Sequence, residues 1–196
     1  MPRRLLPVAA LALAVLAGTG CADEVDPAAR VGDTTVSHDE LMTEVEAWAS
    51  SPTLLGVLGL ADPAASGHSF SSGFVGDVLE YRIGFEVNNL EFERLGLELS
   101  ASDLEDVRAN LFQNPADTEA TLAELADYGD ELIEDVARSF KLQNELADGY
   151  QAWAAEAYPA ADIKVSPRYG TFDLQTGSID PPEGPATAPG SAFVEL

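Results

Sequence analysis

The sequence contains few cationic residues. Only 10 Lys and Arg stand against 34 Asp and Glu in 196 residues, which gives a formal net charge of −24 at neutral pH. A chain with this charge repels phosphate groups, so its composition excludes nucleic-acid binding. The same charge excludes a polybasic patch that would bind an anionic membrane surface.

Cysteine and histidine are also scarce, with one Cys and two His in the whole chain. A single cysteine excludes an internal disulfide, and together with two histidines it excludes a thiolate zinc site. The sequence also lacks a glycine-rich phosphate loop, a Gly-x-Ser-x-Gly elbow and an EF-hand calcium loop. We therefore predict no catalytic residue, no metal site and no cofactor. An enzyme remains an alternative if the fold gathers desolvated titratable groups in one cavity.

Hydrophobic residues make up 46% of the chain, which is enough to build one packed domain. The first 20 residues differ from the rest. They begin with two arginines, continue with an apolar run from Leu5 to Leu16 and end in small residues. This order predicts a secretory signal peptide over residues 1–20, because the apolar run is too short to span a bilayer.

The single cysteine, Cys21, follows this segment directly. Residues 16–21 read LAGTGC and resemble a bacterial lipobox, with Gly18 where lipoboxes usually carry Leu. The resemblance implies cleavage between Gly20 and Cys21 and attachment of a diacylglycerol to the Cys21 thiol. The protein is then lipid-anchored on the extracytoplasmic face of the cell membrane, and its net charge becomes −26 because two arginines leave with the signal. The alternative is an ordinary secretory signal beside an incidental cysteine.

Apolar residues at helical spacing indicate that most of the remaining chain is helical. Ser37 and Glu40 form the pattern of a capping box, and Ser100 or Ser102 caps a later helix. We predict helices over residues 38–49, 74–95 with a stop at Gly96, from residue 100 or 102 onward, 118–128 and 129–158. The last of these is predicted as one long helix with Phe140 on its core stripe and Pro159 at its end.

Four other segments are predicted to be largely irregular or extended. Residues 21–29 are small and acidic and are interpreted as a tether between the lipid and the domain. Residues 51–73 are rich in Gly, Ser and Pro and predict an apolar connection over the core, or less often a binding surface. A short helix over residues 53–60 is an alternative that Gly56 and Gly59 disfavour. Residues 163–174 predict an extended segment that bends at Pro167. Residues 177–196 contain four prolines and predict a disordered tail.

Three segments together resemble the N-terminal domain of SurA/PrsA-type chaperones and peptidyl-prolyl isomerases. They read RVGDTTVSHDELMTEVEAW, YRIGFEVNNLEFERLGLELSASDLEDVRANL and VSPRYGTFD, and the match covers roughly residues 29–173. The resemblance implies a mainly α fold, a helical bundle with a small two-stranded sheet, for a chaperone domain over residues 30–176. In that sheet the N-terminal segment, residues 30–36, pairs with the C-terminal segment, residues 162–172.

The resemblance also implies a function. The family often inserts a parvulin isomerase module before the closing strand, but this chain leaves no room for one, so we expect no isomerase activity. The expected function is non-catalytic binding of unfolded or exported polypeptides, with residues 51–73 as a possible flap. The alternative is an accessory envelope lipoprotein that binds one folded protein. The candidate peptide-binding residues are aromatic, although each is also a candidate core residue: Trp48, Tyr81, Phe85 and Trp153.

Overall fold

The computed structural model describes residues 27–66, 69–112, 114–126, 128–180, 182 and 193–195. The predicted signal peptide, the cleavage site at Gly20 and Cys21 and most of the tether lie outside these residues. Ala28 and Ala29 are described, and both are fully buried in the core. The folded domain therefore begins two residues earlier than the predicted boundary at residue 30, because the end of the predicted tether packs against the core.

The fold is mainly helical with small antiparallel sheets, as predicted. The helices are α1 (His38–Ala49), α2 (Pro52–Leu58), α3 (Ser72–Arg94), α4 (Ala101–Asn110), α5 (Pro115–Leu125), α6 (Tyr128–Leu146) and α7 (Tyr150–Ala160). The strands are β1 (Ala29–Val31), β2 (Thr34–Val36), β3 (Ala64–Ser66), β4 (Ser69–Ser71), β5 (Lys164–Val165), β6 (Thr171–Asp173), β7 (Ser178–Asp180) and β8 (Phe193–Glu195).

Local capping explains where several helices begin. The Ser37 hydroxyl accepts a hydrogen bond from the Glu40 amide, and the Glu40 carboxylate accepts one from the Ser37 amide, so the predicted capping box is confirmed. Ser100 and Asp103 form the same reciprocal pair at the start of α4. Gly96 lies just past the end of α3 with a φ of +65°, a left-handed conformation that glycine adopts without steric cost.

The two ends of the domain meet in one sheet. Strand β1 pairs antiparallel with β2 on one side and with β5 on the other, with Ala29 opposite Val165. The predicted pairing between the N-terminal and C-terminal segments is therefore confirmed. The sheet has three strands rather than two, because the N-terminal segment folds into a hairpin at Gly32, whose φ of +58° favours glycine.

The rest of the predicted closing strand belongs to a different hairpin. Strand β6 pairs with β7, not with the N-terminal segment. Gly170 begins this hairpin with a φ of +125°, and a Cβ atom placed there would lie 2.0 Å from the Asp180 carbonyl oxygen. Ile179 in β7 is buried, so residues 178–180 are ordered. The prediction that the disordered tail starts at residue 177 is therefore wrong for these residues. Most of the remaining tail lies outside the described residues.

Residues 51–73 contain more regular structure than the sequence predicts. They form α2, the β3–β4 hairpin and the first residues of α3, and β4 also pairs with β8 near the end of the chain. Ser51 caps α2 through the Leu54 amide, and Leu54 is buried. The short helix predicted as the alternative for residues 53–60 is present as α2, because a serine cap and a proline in the first turn compensate for Gly56. The β3–β4 hairpin is the part that the sequence does not predict.

The long helix predicted over residues 129–158 is interrupted. Helix α6 ends at Leu146, a 3₁₀ turn covers Ala147–Gly149, and α7 then continues to Ala160, one residue past Pro159. Ala147 has a φ of +46°, which no α-helix contains. The interruption follows from Asp148 and Gly149, since both residue types have low helix propensity.

Helix α3 lies at the centre of the molecule. It packs against α1, α6, β1 and β7, so side chains on several of its faces are buried, as its apolar pattern predicts. The closing segment is held to α1 by Tyr169, which is buried and shares a hydrogen bond with the Nδ1 atom of His38. The largest fully buried side chains around α3 are Trp48, Phe74, Leu41, Leu54, Leu79 and Ile83.

Candidate functional site

One cavity contains two of the predicted peptide-binding residues. The Tyr81 cavity, of about 400 Å³, lies between α3, α6 and α7. Its lining residues are Glu80, Tyr81, Gly84, Phe85, Asn88, Ser139, Gln143 and Tyr158. Tyr81 is 38% exposed, so the core covers its ring only in part. The cavity therefore presents aromatic surface from α3 and α7, and α6 contributes the polar side chains of Ser139 and Gln143.

The aromatic rings of this cavity rest on the core. The Tyr81 ring lies 5.4 Å from the Trp48 ring and 6.4 Å from the Phe85 ring, measured between centroids. Gly84 lets the Tyr158 hydroxyl approach α3 closely, because a Cβ atom at this position would lie 3.3 Å from the hydroxyl oxygen. Burial raises the pKa of Tyr81 and of Tyr158, so both phenols are neutral at physiological pH.

Trp48 does not line this cavity. Its side chain is fully buried beneath Tyr81, so the structure assigns it to the core rather than to a binding surface. The sequence could not separate the two roles, because Trp48 and Tyr81 both lie on apolar helix faces. The difference arises from tertiary packing, since Trp48 is enclosed by the core cluster and Tyr81 is at its edge.

The fourth predicted residue, Trp153, lies in a separate cavity. The Trp153 cavity, of about 430 Å³, lies between α3 and α7. It is lined by Val87, Leu90, Glu91, Arg94, Trp153, Glu156, Ala157, Ala160 and Ala161. Leu90 is 38% exposed, and Trp153 is half-buried against Tyr150 at 5.2 Å between ring centroids. Three of the four predicted residues are thus divided between two cavities that share the helices α3 and α7, while Trp48 lies in the core.

A charged pair borders the Trp153 cavity. The Arg94 guanidinium donates two hydrogen bonds of 2.6 Å to the Glu91 carboxylate. These bonds lower the pKa of the Glu91 carboxyl below its usual range, so Glu91 stays ionised. The cavity therefore offers an apolar floor bordered by the Arg94–Glu91 pair and by the exposed Glu156 carboxylate.

A third cavity lies between α4 and α6. The Phe140 cavity, of about 510 Å³, is lined by Asp103, Asp106, Val107, Asn110, Ala137, Phe140, Lys141, Asn144 and Glu145. Phe140 is 45% exposed, so its predicted place in the core is wrong. No sequence pattern indicated this cavity, because Phe140 lies on the same helical face as the buried Ile133 and Ala137.

A fourth cavity, of about 330 Å³, contains buried charge. The Glu44 cavity is lined by Val36, Asp39, Glu40, Thr43, Glu44, Arg82, Tyr128 and Glu131. Glu44 is 4% exposed, and its burial raises the pKa of its carboxyl to about 7. Arg82 approaches Glu86 at 3.0 Å and Glu131 at 3.3 Å. This is a cluster of desolvated titratable groups, the feature that the enzyme alternative requires.

The contacts of this cluster connect three helices. Arg82 on α3 also approaches Asp135 on α6 at 3.8 Å, and Arg138 approaches the same carboxylate at 3.4 Å. Burial raises the pKa of Asp135 and of Glu86, and the arginines oppose that rise. Arg82 and Arg138 therefore serve as counter-ions for buried carboxylates, and these contacts link α3 to α6. Glu44 on α1 joins the cluster through its hydrogen bond with Tyr128 on α6.

The described residues contain no group of three or more His, Cys, Asp or Glu side chains arranged to hold a metal ion. Within the same part of the chain, no helix combines the length and apolarity needed to cross a bilayer. Comparison with protein-family models, curated proteins and solved structures found no match. The resemblance to SurA/PrsA-type chaperones therefore stays a prediction from the three sequence segments.

Proposed function

We propose that this chain is a lipid-anchored, extracytoplasmic protein that binds unfolded or exported polypeptides without chemistry, as its resemblance to SurA/PrsA-type domains implies. The observation that supports the proposal is the partly exposed aromatic surface of the Tyr81 cavity and the Trp153 cavity, both bordered by α3 and α7. Cavities of this size accept about one large client side chain each, and neither cavity contains an unpaired arginine or lysine.

The driving force for such binding is burial of apolar client side chains. It supplies roughly 25 cal/mol per Å² of apolar area, before the client loses conformational entropy. Aromatic walls suit varied clients because they offer large contact area without a fixed pattern of hydrogen bonds. The net charge of −24 keeps a protein with exposed aromatic surface from associating with itself.

The proposed anchor places these cavities close to the membrane. Only six residues lie between Cys21 and the buried Ala28. A fully extended chain of that length spans about 20 Å, so a diacylglycerol on Cys21 holds the domain near the bilayer surface. Polypeptides that emerge from the membrane then meet the binding surface early.

The Glu44 cavity is assigned a structural role in this proposal. Its one lining arginine, Arg82, is engaged by three carboxylates at 3.0 to 3.8 Å, so it acts as a counter-ion rather than as a substrate-binding group. Two hydroxyl residues line this cavity: Tyr128 donates its hydrogen bond to the Glu44 carboxylate, and Thr43 donates to the Asp39 carbonyl oxygen at 2.9 Å. No general base therefore activates the Thr43 hydroxyl within the described residues.

The test is suppression of aggregation. The full chain, at several-fold molar excess, is expected to reduce light scattering from a denatured protein that aggregates on dilution. Tyr81→Ser combined with Trp153→Ser should remove most of this effect. Leu174→Ser is the matched control, since Leu174 is 43% exposed but lies outside both cavities. Equal activity of the double variant and the control, or no activity of the wild type, contradicts the proposal.

The alternative, an accessory lipoprotein that binds one folded protein, is tested by co-purification. Co-purification from the native membrane would then yield one folded partner in fixed stoichiometry, and the denatured protein would aggregate unchanged. A range of partners with suppression of aggregation supports the chaperone-like function instead.

A further inference from the structure

The Phe140 cavity has an apolar floor that α4 covers only in part. Helices α4 and α6 are antiparallel, because Asp103 pairs with Lys141 at one end and Arg108 pairs with Asp130 at the other, at 2.7 Å and 2.6 Å. Between these pairs, Val107 from α4 packs on Ile133 and Ala137 of α6. Phe140 continues the same apolar face of α6, and its side chain is left 45% exposed.

The rim of this cavity is acidic. Asp103 is held ionised by the Lys141 ammonium and by Ser100, which lower its pKa to about 2. Lys141, the one cation among the lining residues, is therefore already paired. Asp106 and Glu145 are exposed on opposite helices and form no ion pair with any described residue. The cavity thus combines an unpartnered aromatic side chain with two unneutralised carboxylates.

We propose that the Phe140 cavity binds a basic amphipathic polypeptide segment, which inserts one apolar side chain against Phe140, Val107 and Ala137. Lysine or arginine residues on either side of that apolar residue then pair with Asp106 and Glu145. The volume of about 510 Å³ is sufficient for one large side chain and part of its backbone.

Charge complementarity selects this occupant. An acidic or neutral segment would leave both carboxylates without a counter-ion, and a second copy of this chain carries a net charge of −24 and is repelled. The apolar floor distinguishes this site from the rest of the acidic surface. A ligand that covers Phe140 needs an apolar side chain, in addition to the positive charge that pairs with the carboxylates. This site is separate from the Tyr81 and Trp153 cavities, so it does not depend on the proposed chaperone-like function.

The test uses two fluorescein-labelled peptides and the full chain. The first peptide carries lysines on both sides of one central phenylalanine, and the second replaces every lysine with glutamine. Fluorescence anisotropy at low ionic strength gives the dissociation constants. We expect the lysine peptide to bind at least about tenfold more tightly than the glutamine peptide and to lose that advantage in high salt.

Two variants locate the site, a third reports non-specific attraction, and a fourth tests whether an apolar floor is sufficient. Phe140→Ser and the double variant Asp106→Asn with Glu145→Gln should each weaken binding of the lysine peptide about fivefold or more. Glu93→Gln with Glu119→Gln removes the same charge from exposed positions on α3 and α5 and should change binding less than about twofold. Phe140→Leu, which preserves an apolar floor, should retain binding.

Three results would overturn the proposal. These are unchanged binding by Phe140→Ser, an equal loss in the Glu93 and Glu119 control, and equal affinity for both peptides. Tyr81→Ser distinguishes this site from the proposed chaperone surface. If Tyr81→Ser abolishes peptide binding and Phe140→Ser does not, this proposal fails while the proposed function stands. If aggregation is never suppressed but Phe140→Ser weakens the lysine peptide, the proposed function fails and this site stands.

Discussion

At the scale of single residues, Glu44 shows how burial sets an ionisation state. The carboxyl is 4% exposed and receives a hydrogen bond from the Tyr128 hydroxyl, yet desolvation dominates and raises its pKa to about 7. In the unfolded chain the same carboxyl has a pKa near 4.3. Between about pH 4.3 and pH 7 the folded state therefore holds a proton on Glu44 that the unfolded chain has released. The neutral carboxyl stabilises the folded state at low pH, and this stabilisation is lost as the pH rises through 7.

Glu44→Gln should make the protein less sensitive to this pH change. Glutamine keeps the shape and a hydrogen-bond acceptor for Tyr128 without a buried charge, so the variant should be more stable than the wild type at pH 8 by about 1–3 kcal/mol. At pH 4 the two proteins should differ little. Urea unfolding at both pH values measures the difference. Glu46→Gln on the exposed face of α1 is the control, and equal effects of both variants at pH 8 would refute the explanation.

Gly170 is constrained by its backbone and its surroundings together. Its φ of +125° excludes most side chains, and a Cβ atom would lie 2.0 Å from the Asp180 carbonyl oxygen. Gly170→Ala should lower the free energy of unfolding by about 2–4 kcal/mol. Gly56→Ala in α2 should raise it by about 0.5–1 kcal/mol, because Gly56 is helical and a Cβ there meets no atom within 4 Å. Thermal unfolding of both variants compares them directly, and a harmless Gly170→Ala would contradict the described β6–β7 hairpin.

Residue roles were predictable from the sequence where a local pattern decides them. Ser37, Glu40 and Gly96 act through neighbours within four positions, so their spacing alone indicates caps and a stop. Trp48 and Phe140 differ, because their exposure depends on which helix covers them. Both lie on apolar faces, but the core encloses Trp48, whereas α4 leaves Phe140 open.

At the scale of secondary-structure elements, α1 depends on its first turn. The Ser37 capping box satisfies amide groups that lack helical partners, and it fixes the junction between β2 and α1. Ser37→Ala should lower the stability of the protein by about 1 kcal/mol, measured by urea unfolding. Thr43→Ala is the matched control, since Thr43 lies exposed inside α1 rather than at its cap. A loss no larger than that of the control would show that the box does not stabilise α1.

The break between α6 and α7 was the main element missed by sequence reasoning. Apolar spacing continues across it, so the pattern favours one helix through residue 158. The low helix propensity of Asp148 and Gly149 is a weaker signal, and it prevails because tertiary contacts tie both helices to α3 on either side of the break. Tyr150 in α7 donates a hydrogen bond to Asn88 in α3 at 3.3 Å, and Asn88 donates one to Ser139 in α6 at 3.0 Å.

At the scale of the whole molecule, the ends of the domain close around the central helix α3. The Gly32 amide donates to the Ala161 carbonyl at 2.7 Å, and the Ser166 amide donates to the Ala28 carbonyl at 2.9 Å. These bonds extend the β1–β5 pairing on both sides. The sequence predicted this closure through the resemblance of its first and last segments, whereas the four cavities depend on helix packing that no single segment encodes.

The most direct test of the central claim uses the two tryptophans as reporters. In the proposed function Trp153 contacts client polypeptides, while Trp48 is enclosed in the core. Titration of the isotope-labelled full chain with an unfolded polypeptide should shift the Trp153 indole N–H resonance in a saturable manner. The Trp48 resonance should move far less. Unchanged resonances for both residues at saturating polypeptide, or a larger shift at Trp48 than at Trp153, would contradict binding at the α3–α7 surface.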